Sequence, residues 1–268
     1  MAFPLTPEKF SSSPFFNPSD FLSYMRSLGA LKDEAPPKGV ILGYQRSLVR
    51  YIMENFSTRE SEGYFGRDLH YIDEAWAGNG EIALVSGFGV GAPAAAVMVE
   101  ELIAWGVGSF VSMGTAGSLR ADLPPGSLVL CTSAFRDEGT SRHYIAGSDP
   151  ALPDPALTRR LATALSNRGL AYAAGPTWTI DAIYRETPLE VMAFRDLGAL
   201  VVEMEASALF AIAAHRGVPI AACFSVSDTL AELKWRPEFH TETTKEGLEV
   251  LFHAAVDALR APGQAALP

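Results

Sequence analysis

From Val40 onward, short apolar runs of strand type take turns with longer segments whose apolar positions recur every three or four residues. "VILGY", "EIALVSGF", "SFVSMG", "SLVLCTSAF", "ALVVEM" and "PIAACFSVSD" are of the first kind. "SLVRYIMENF", "APAAAVMVEELIAWG", "ALTRRLATALSNRG", "LEVMAFRDLG", "ASALFAIAAHRG" and "TKEGLEVLFHAAVDALR" are of the second. This alternation predicts an α/β fold, a sheet covered on both faces by helices. No repeat or low-complexity tract interrupts it, so residues 39–268 are expected to form one domain. Residues 1–38 differ: "FPLTPEKFSSSPFFNPSD" is rich in Pro, Ser and Phe, "SDFLSYMRSLG" has a cap, an apolar periodicity and a glycine stop, and "KDEAPPKG" closes the segment. The expectation is an N-terminal arm with one short helix, packed on the body or on a neighbouring subunit.

Composition narrows the function classes. A chain of 268 residues, 48% hydrophobic, can bury a sizeable core. No apolar run is long enough to span a bilayer, and "MAFPLTPEKF" has neither a basic start nor an apolar signal core, which predicts a cytoplasmic protein. A formal charge of −10 argues against a nucleic-acid surface, although a local pocket can still oppose the global charge and hold a small anion. Cys131 and Cys223 both sit in apolar strand-like runs and are expected to be buried free thiols, and no metal site is readable.

In α/β folds the ligand crevice lies at the carboxyl ends of the strands, so polar or glycine-rich stretches that follow an apolar run deserve scrutiny. Four qualify. In "ALVSGFGVGAPAAAVMVEEL", Gly87, Gly89 and Gly91 precede a helix with Pro93 in its first turn, which suits either an anion-binding turn or a plain tight turn. "FVSMGTAGSLR" sets Thr115 between Gly114 and Gly117, as an oxyanion cradle or a strand-ending turn. "VVEMEASAL" flanks Met204 with Glu203 and Glu205; a carboxylate can accept from both hydroxyls of a ribose diol, or simply favour a helix N-terminus. "PIAACFSVSDTL" ends an apolar strand in Asp228, a candidate general acid or an N-cap. The glycine-rich turn also raises a dinucleotide-dependent oxidoreductase, but no acidic ribose ligand follows at the required distance.

Together, in this order and spacing, "SGFGVGAPAAAVMVEEL", "GTAGSL", "RDEGTSRHY", "VVEMEASAL" and "SVSDTL" resemble the nucleoside phosphorylase family, which includes purine nucleoside phosphorylases, uridine phosphorylases and related nucleosidases. The likeness covers roughly residues 40 to 260. It implies a single-domain phosphorylase-type fold with a central mixed β-sheet, and cleavage of a nucleoside by phosphate through an oxocarbenium-like state, with no cofactor. It also implies a homo-oligomer, dimer or hexamer, with sites shared between subunits.

Carried over residue by residue, the resemblance implies that Glu205 holds the ribose diol, Met204 lines the sugar and Glu203 supports both. Asp228 corresponds to the residue that protonates or hydrogen-bonds a leaving purine, whereas "RDEGTSRHY" reads like the uridine branch, so the base stays open. Ile183 stands where the family carries an aromatic residue against the base, with Trp178 and Tyr184 as alternatives. Lys234 and Arg236 are candidates to assist proton donation, or surface residues. On the phosphate side, Thr115 and the Gly87–Gly91 turn with Gly89 match, Gly43 and Arg46 in "GYQRSLVRY" lie near the family's Gly-x-x-x-Arg site at a different spacing, and Ser112 replaces the arginine two residues before Gly114. Arg46 is the expected substitute, with Arg59 or Arg67 supplied by an adjacent subunit, and His143 near the site or in a structural role. Losing that arginine also motivates a nucleosidase that uses water, and a binding protein without chemistry is the third reading.

Overall fold

The computed structural model describes residues 6–65 and 68–260. In chain order its elements are α1 (Pro18–Ser27), β1 (Gly39–Gly43), α2 (Arg46–Asn55), β2 (Thr58–Glu60), β3 (Leu69–Ile72), β4 (Ile82–Val85), α3 (Ala92–Trp105), β5 (Ser109–Ser118), β6 (Leu128–Asp137), α4 (Pro155–Asn167), β7 (Tyr172–Ile180), α5 (Pro188–Asp196), β8 (Val201–Glu203), α6 (Ala206–Arg216), β9 (Ile220–Thr229), β10 (Arg236–Pro237) and α7 (Glu242–Arg260).

The strands make one mixed sheet. β1 runs parallel to β4 and β5, while β2 and β3 extend the β4 side with antiparallel pairing. β5 pairs in parallel with β9 and, at Gly117 and Ser118, antiparallel with Val202 and Val201 of β8. β9 continues to β6, β6 to β7 and β7 to β8, so this part of the sheet closes on itself through β5.

Strand side chains alternate between two helical layers, as a period of two requires. Val40, Leu42, Val85 and Phe110 join a core with Val99 and Leu102 of α3, Leu209 and Phe210 of α6 and Leu22 of α1. Ile41, Leu84, Val111 and Met113 join a second core with Leu48 and Ile52 of α2, Leu157 and Leu161 of α4, and Leu251 and Phe252 of α7. The helix of the arm thus docks on the body through Leu22. Cys131 and Cys223 are buried free thiols, their pKa values pushed up by burial.

β5 corrects one expectation. The sequence suggests a strand ending before Gly114, yet β5 runs on through "GTAGS" to Ser118, with a register shift against β9 between Ala116 and Gly117. The glycines there serve close approach rather than a turn. A Cβ on Gly114 would meet Tyr44 Cδ2 at 3.1 Å, and one on Gly117 would meet Asp228 Oδ2 at 3.1 Å.

Candidate active site

The candidate site collects where parallel strands end. After β4, Gly87, Gly89 and Gly91 all adopt positive φ, which glycine alone adopts at no steric cost. α3 then starts at Ala92 with Pro93 in its first turn, as expected. Its first intrahelical bond runs from Ala95 N–H to Gly91 O, which leaves the earlier amides with no helical acceptor. Gly91 N–H donates instead to Oε1 of Glu205 at 2.5 Å. A carboxylate from one segment is therefore tied to the glycine turn of another, 114 residues away in sequence.

Glu205 is the N-cap residue of α6, and its backbone sits outside helical geometry at φ −134°, ψ −34°. Glu203 anchors it. One oxygen of Glu203 accepts the amides of Glu205 at 2.8 Å and Ala206 at 2.7 Å, while the other accepts the Thr179 hydroxyl. The sequence pattern around Met204 thus resolves into two different jobs: Glu203 is buried and spent on hydrogen bonds, whereas Glu205 gives one oxygen to Gly91. Burial raises the pKa of both, and the nearby Glu203 charge raises that of Glu205 further. Met204 is partly exposed and brings its Cε to 3.9 Å from the position of a Cβ on Gly91.

Asp228, near the end of β9, is 7% exposed. Its Oδ1 accepts the Ser227 hydroxyl at 2.7 Å and its Oδ2 accepts the indole N–H of Trp235 at 3.0 Å. Burial raises its pKa and these two bonds oppose the rise. A buried aspartate of this kind holds a proton at higher pH than a surface one and can pass it on.

Trp235, which no sequence motif marks, is the residue that reaches Asp228, and its charged neighbours do not. Lys234 and Arg236 are both exposed, and Arg236 pairs with Glu232. The two residues of β10 fold back antiparallel, Arg236 beside Thr229 and Pro237 beside Asp228, and the indole reaches the carboxylate.

Beside the end of β1 lie four uncharged polar side chains, Tyr44, Gln45, Ser112 and Thr115. Ser112 is buried and shares a hydrogen bond with the Tyr44 hydroxyl at 3.1 Å. Burial pushes the Tyr44 pKa well above its ordinary value, and Glu205 adds to the rise. Gln45 Nε2 donates to Thr115 Oγ1 at 2.9 Å, and among the described residues Gln45 Oε1 is the buried side-chain polar atom with no hydrogen-bond partner. Gly43 is buried in β1, where a Cβ would meet Leu84 at 2.9 Å and Leu48 at 3.2 Å, so there is no room for a side chain at this position. Arg46 is exposed at the first position of α2. Arg59 is tied to Glu34 at 2.7 Å and stacks on Tyr71, and Arg67 lies outside the described residues.

The base-side candidates separate sharply. Trp178 is 0% exposed, stacked on Phe194 with centroids 4.4 Å apart and bonded to Asp137, so its ring is core and has no free face for a ligand. Tyr184 is 95% exposed and Ile183 is also exposed, on a short turn after β7.

The family model of the phosphorylase superfamily matches residues 39–260. The chain belongs to this superfamily. Similar proteins include a guanosine phosphorylase from Halorubrum lacusprofundi, 37% identical over 142 residues that cover 53% of this chain and 59% of that protein. The chain therefore spans less than two thirds of that relative's length. A DeoD-type purine nucleoside phosphorylase from Bacillus cereus is 31% identical over 183 residues, covering 66% of this chain and 77% of the relative. Among solved structures, a purine nucleoside phosphorylase from Toxoplasma gondii in complex with immucillin-H superposes with a TM-score of 0.73 at 19% identity, covering 85% of this chain and 92% of that one. An AMP nucleosidase from Bacteroides thetaiotaomicron gives 0.69 at 20% identity, covering 90% and 97%. These superpositions support the mixed α/β fold with helices on both faces.

Proposed function

We propose that this chain is a nucleoside phosphorylase, a pentosyltransferase that cleaves the N-glycosidic bond with phosphate to give free base and a pentose 1-phosphate. The observation that carries this reading is the bond between Gly91 N–H and Glu205. It sets an acceptor for a ribose diol directly at the glycine turn and the free first amides of α3, so sugar and attacking anion meet in one place. Attack on an anomeric carbon gains most from such prior positioning, because a bimolecular encounter becomes an internal one.

Glu205 would accept the 2′ and 3′ hydroxyls, with Met204 against the sugar and Glu203 holding the segment. Asp228 would give its proton to the departing base, a role that fits the N7 of a purine; the named relatives, a guanosine phosphorylase and purine nucleoside phosphorylases, point to the same base class. Thr115, Gly89 and the amides of α3 would hold phosphate, with Arg46 contributing charge from the start of α2. Ile183 or Tyr184 would cover the base, and an adjacent subunit of a homo-oligomer would supply a further arginine. No cofactor enters this chemistry.

A second reading is favoured by the Tyr44–Ser112 pair. It puts two neutral hydroxyls where related enzymes carry an arginine, which lowers the positive charge available to phosphate and suits water as nucleophile. Base release from purine and pyrimidine nucleosides, with and without phosphate, separates the two. Phosphate-dependent release with pentose 1-phosphate as product supports the phosphorylase, and equal release without phosphate, giving free pentose, makes the protein a hydrolase.

A further inference from the structure

Glu138 lies just past the end of β6 and is 3% exposed. A carboxylate so far from water must be compensated, and here two uncharged hydrogen-bond donors and the nearby Arg136 charge do it. Its oxygens accept the Ser207 hydroxyl at 2.8 Å and the Ser141 amide at 2.9 Å. Ser207 is the second residue of α6, two places after Glu205. Its own amide donates to Thr179 Oγ1 at 3.0 Å, and the Thr179 hydroxyl donates to Glu203, the residue that receives the backbone amide of Glu205. A continuous buried chain of hydrogen bonds thus runs from Glu138 through Ser207, Thr179 and Glu203 to Glu205.

The other end of the chain holds a loop. Ser141 Oγ accepts from Arg136 Nε at 2.9 Å, and the same guanidinium donates to the carbonyls of Ile145 at 2.8 Å and Gly147 at 3.1 Å. Residues 138–147 are therefore folded around one buried cation and one buried carboxylate. Glu205, by contrast, lies at a helix cap, where helical geometry does not dictate the direction of its side chain.

We propose that Glu138 is a positioning residue for the sugar clamp: acting through Ser207, it fixes the first turn of α6 and so the direction in which Glu205 presents its carboxylate. Loop 138–147 thereby sets the affinity for a ribose diol. This inference rests on the reading of Glu205 as the diol acceptor. It assigns no substrate contact to Glu138 itself.

The test uses the full chain and compares binding of inosine with 2′,3′-dideoxyinosine, and of uridine with 2′,3′-dideoxyuridine, in wild type, Ser207→Ala, Glu138→Gln and Glu138→Ala. In wild type the ribonucleoside of the bound base class is preferred over its dideoxy form. Ser207→Ala, which removes a single oxygen, is expected to cut that preference about tenfold, corresponding to about 1.4 kcal/mol, while affinity for the dideoxy form stays within about twofold. Glu138→Gln should keep most of the preference, because its amide oxygen can take the Ser141 N–H and its NH2 can donate to the Ser207 hydroxyl. Should Glu138→Ala fail to fold, Ser207→Ala still carries the comparison. Equal loss for ribose and dideoxy forms, or an unchanged preference in Ser207→Ala, overturns the positioning role alone. A wild type with no preference for the diol overturns the reading of Glu205 and this proposal with it.

Discussion

Trp235 donates its indole N–H to the same carboxylate whose backbone pairs with Pro237, so a two-residue return of the chain closes over Asp228. A donor aimed at a carboxylate favours its charged form, and burial opposes that. The pKa of Asp228 is thus set by a contest in which Trp235 holds it down.

Trp235→Phe removes the donor and keeps an aromatic ring. The pKa of Asp228 is expected to rise further once that bond is gone, and a rate that depends on protonated Asp228 then persists to higher pH. The alkaline limb of kcat/KM against pH should move to higher pH, whereas Asp228→Asn should lower kcat by roughly 100-fold to 10,000-fold at all pH values. An alkaline limb that stays in place in Trp235→Phe would sink the assignment of Asp228 as the acid.

Glu205 leads to a proton count. Its pKa is raised by burial and by the Glu203 charge, and two diol hydroxyls donate most strongly to an ionised carboxylate, which carries no proton of its own to compete. Nucleoside binding must therefore weaken as pH falls below the raised pKa, and each binding event in that range releases a proton. Calorimetric titration in buffers of different ionisation enthalpy should show that release in wild type and none in Glu205→Gln. No buffer dependence in wild type would mean that Glu205 does not meet the diol as a carboxylate.

The glycine turn, Pro93 at the start of α3 and the carboxylates around Met204 were legible because each answers a local demand: positive φ, a missing amide, an acceptor at a helix start. Contacts made by distant chain were not. Nothing near Ser112 in sequence announces Tyr44, which reaches it because β1 and β5 align Leu42 with Ser112. Trp235 stood between two cations that drew attention by charge, and the return that delivers its indole passes through Leu233 at φ +56°, a conformation its sequence does not advertise. Trp178 looked available for a base because aromatic residues serve cores and ligands equally well, and only its stacking on Phe194 decides.

The Gln45 amide has one end on Thr115 and one end without a partner. The threonine hydroxyl can donate as well as accept, so the amide can offer a ligand either its NH2 or its carbonyl. In a pocket where Ser112 brings no charge, one such hydrogen bond should matter. Gln45→Ala is expected to raise KM for phosphate about tenfold, corresponding to about 1.4 kcal/mol, with KM for the nucleoside within about twofold. Steady-state kinetics with each substrate varied in turn checks this, and equal increases in both constants would count against a role on the phosphate side.

Glu186 ends the exposed turn after β7 and is half-buried, and its pKa is raised to about 7, first by burial and then by the charges of Asp228 and Glu190. The folded protein therefore binds more protons at this residue than the unfolded chain does between the ordinary glutamate pKa and about 7. Its contribution to stability is fully present below the ordinary value and is lost as pH rises through about 7. Because the side chain is partly solvated, the loss is about 1 kcal/mol, well below the full linkage value. Between pH 5 and pH 8, wild type should lose about 1 kcal/mol more than Glu186→Gln, a difference of about 2 °C in Tm for a chain of this size. Parallel Tm curves for the two proteins across that range would show that Glu186 titrates as an ordinary surface glutamate and is not held against Asp228.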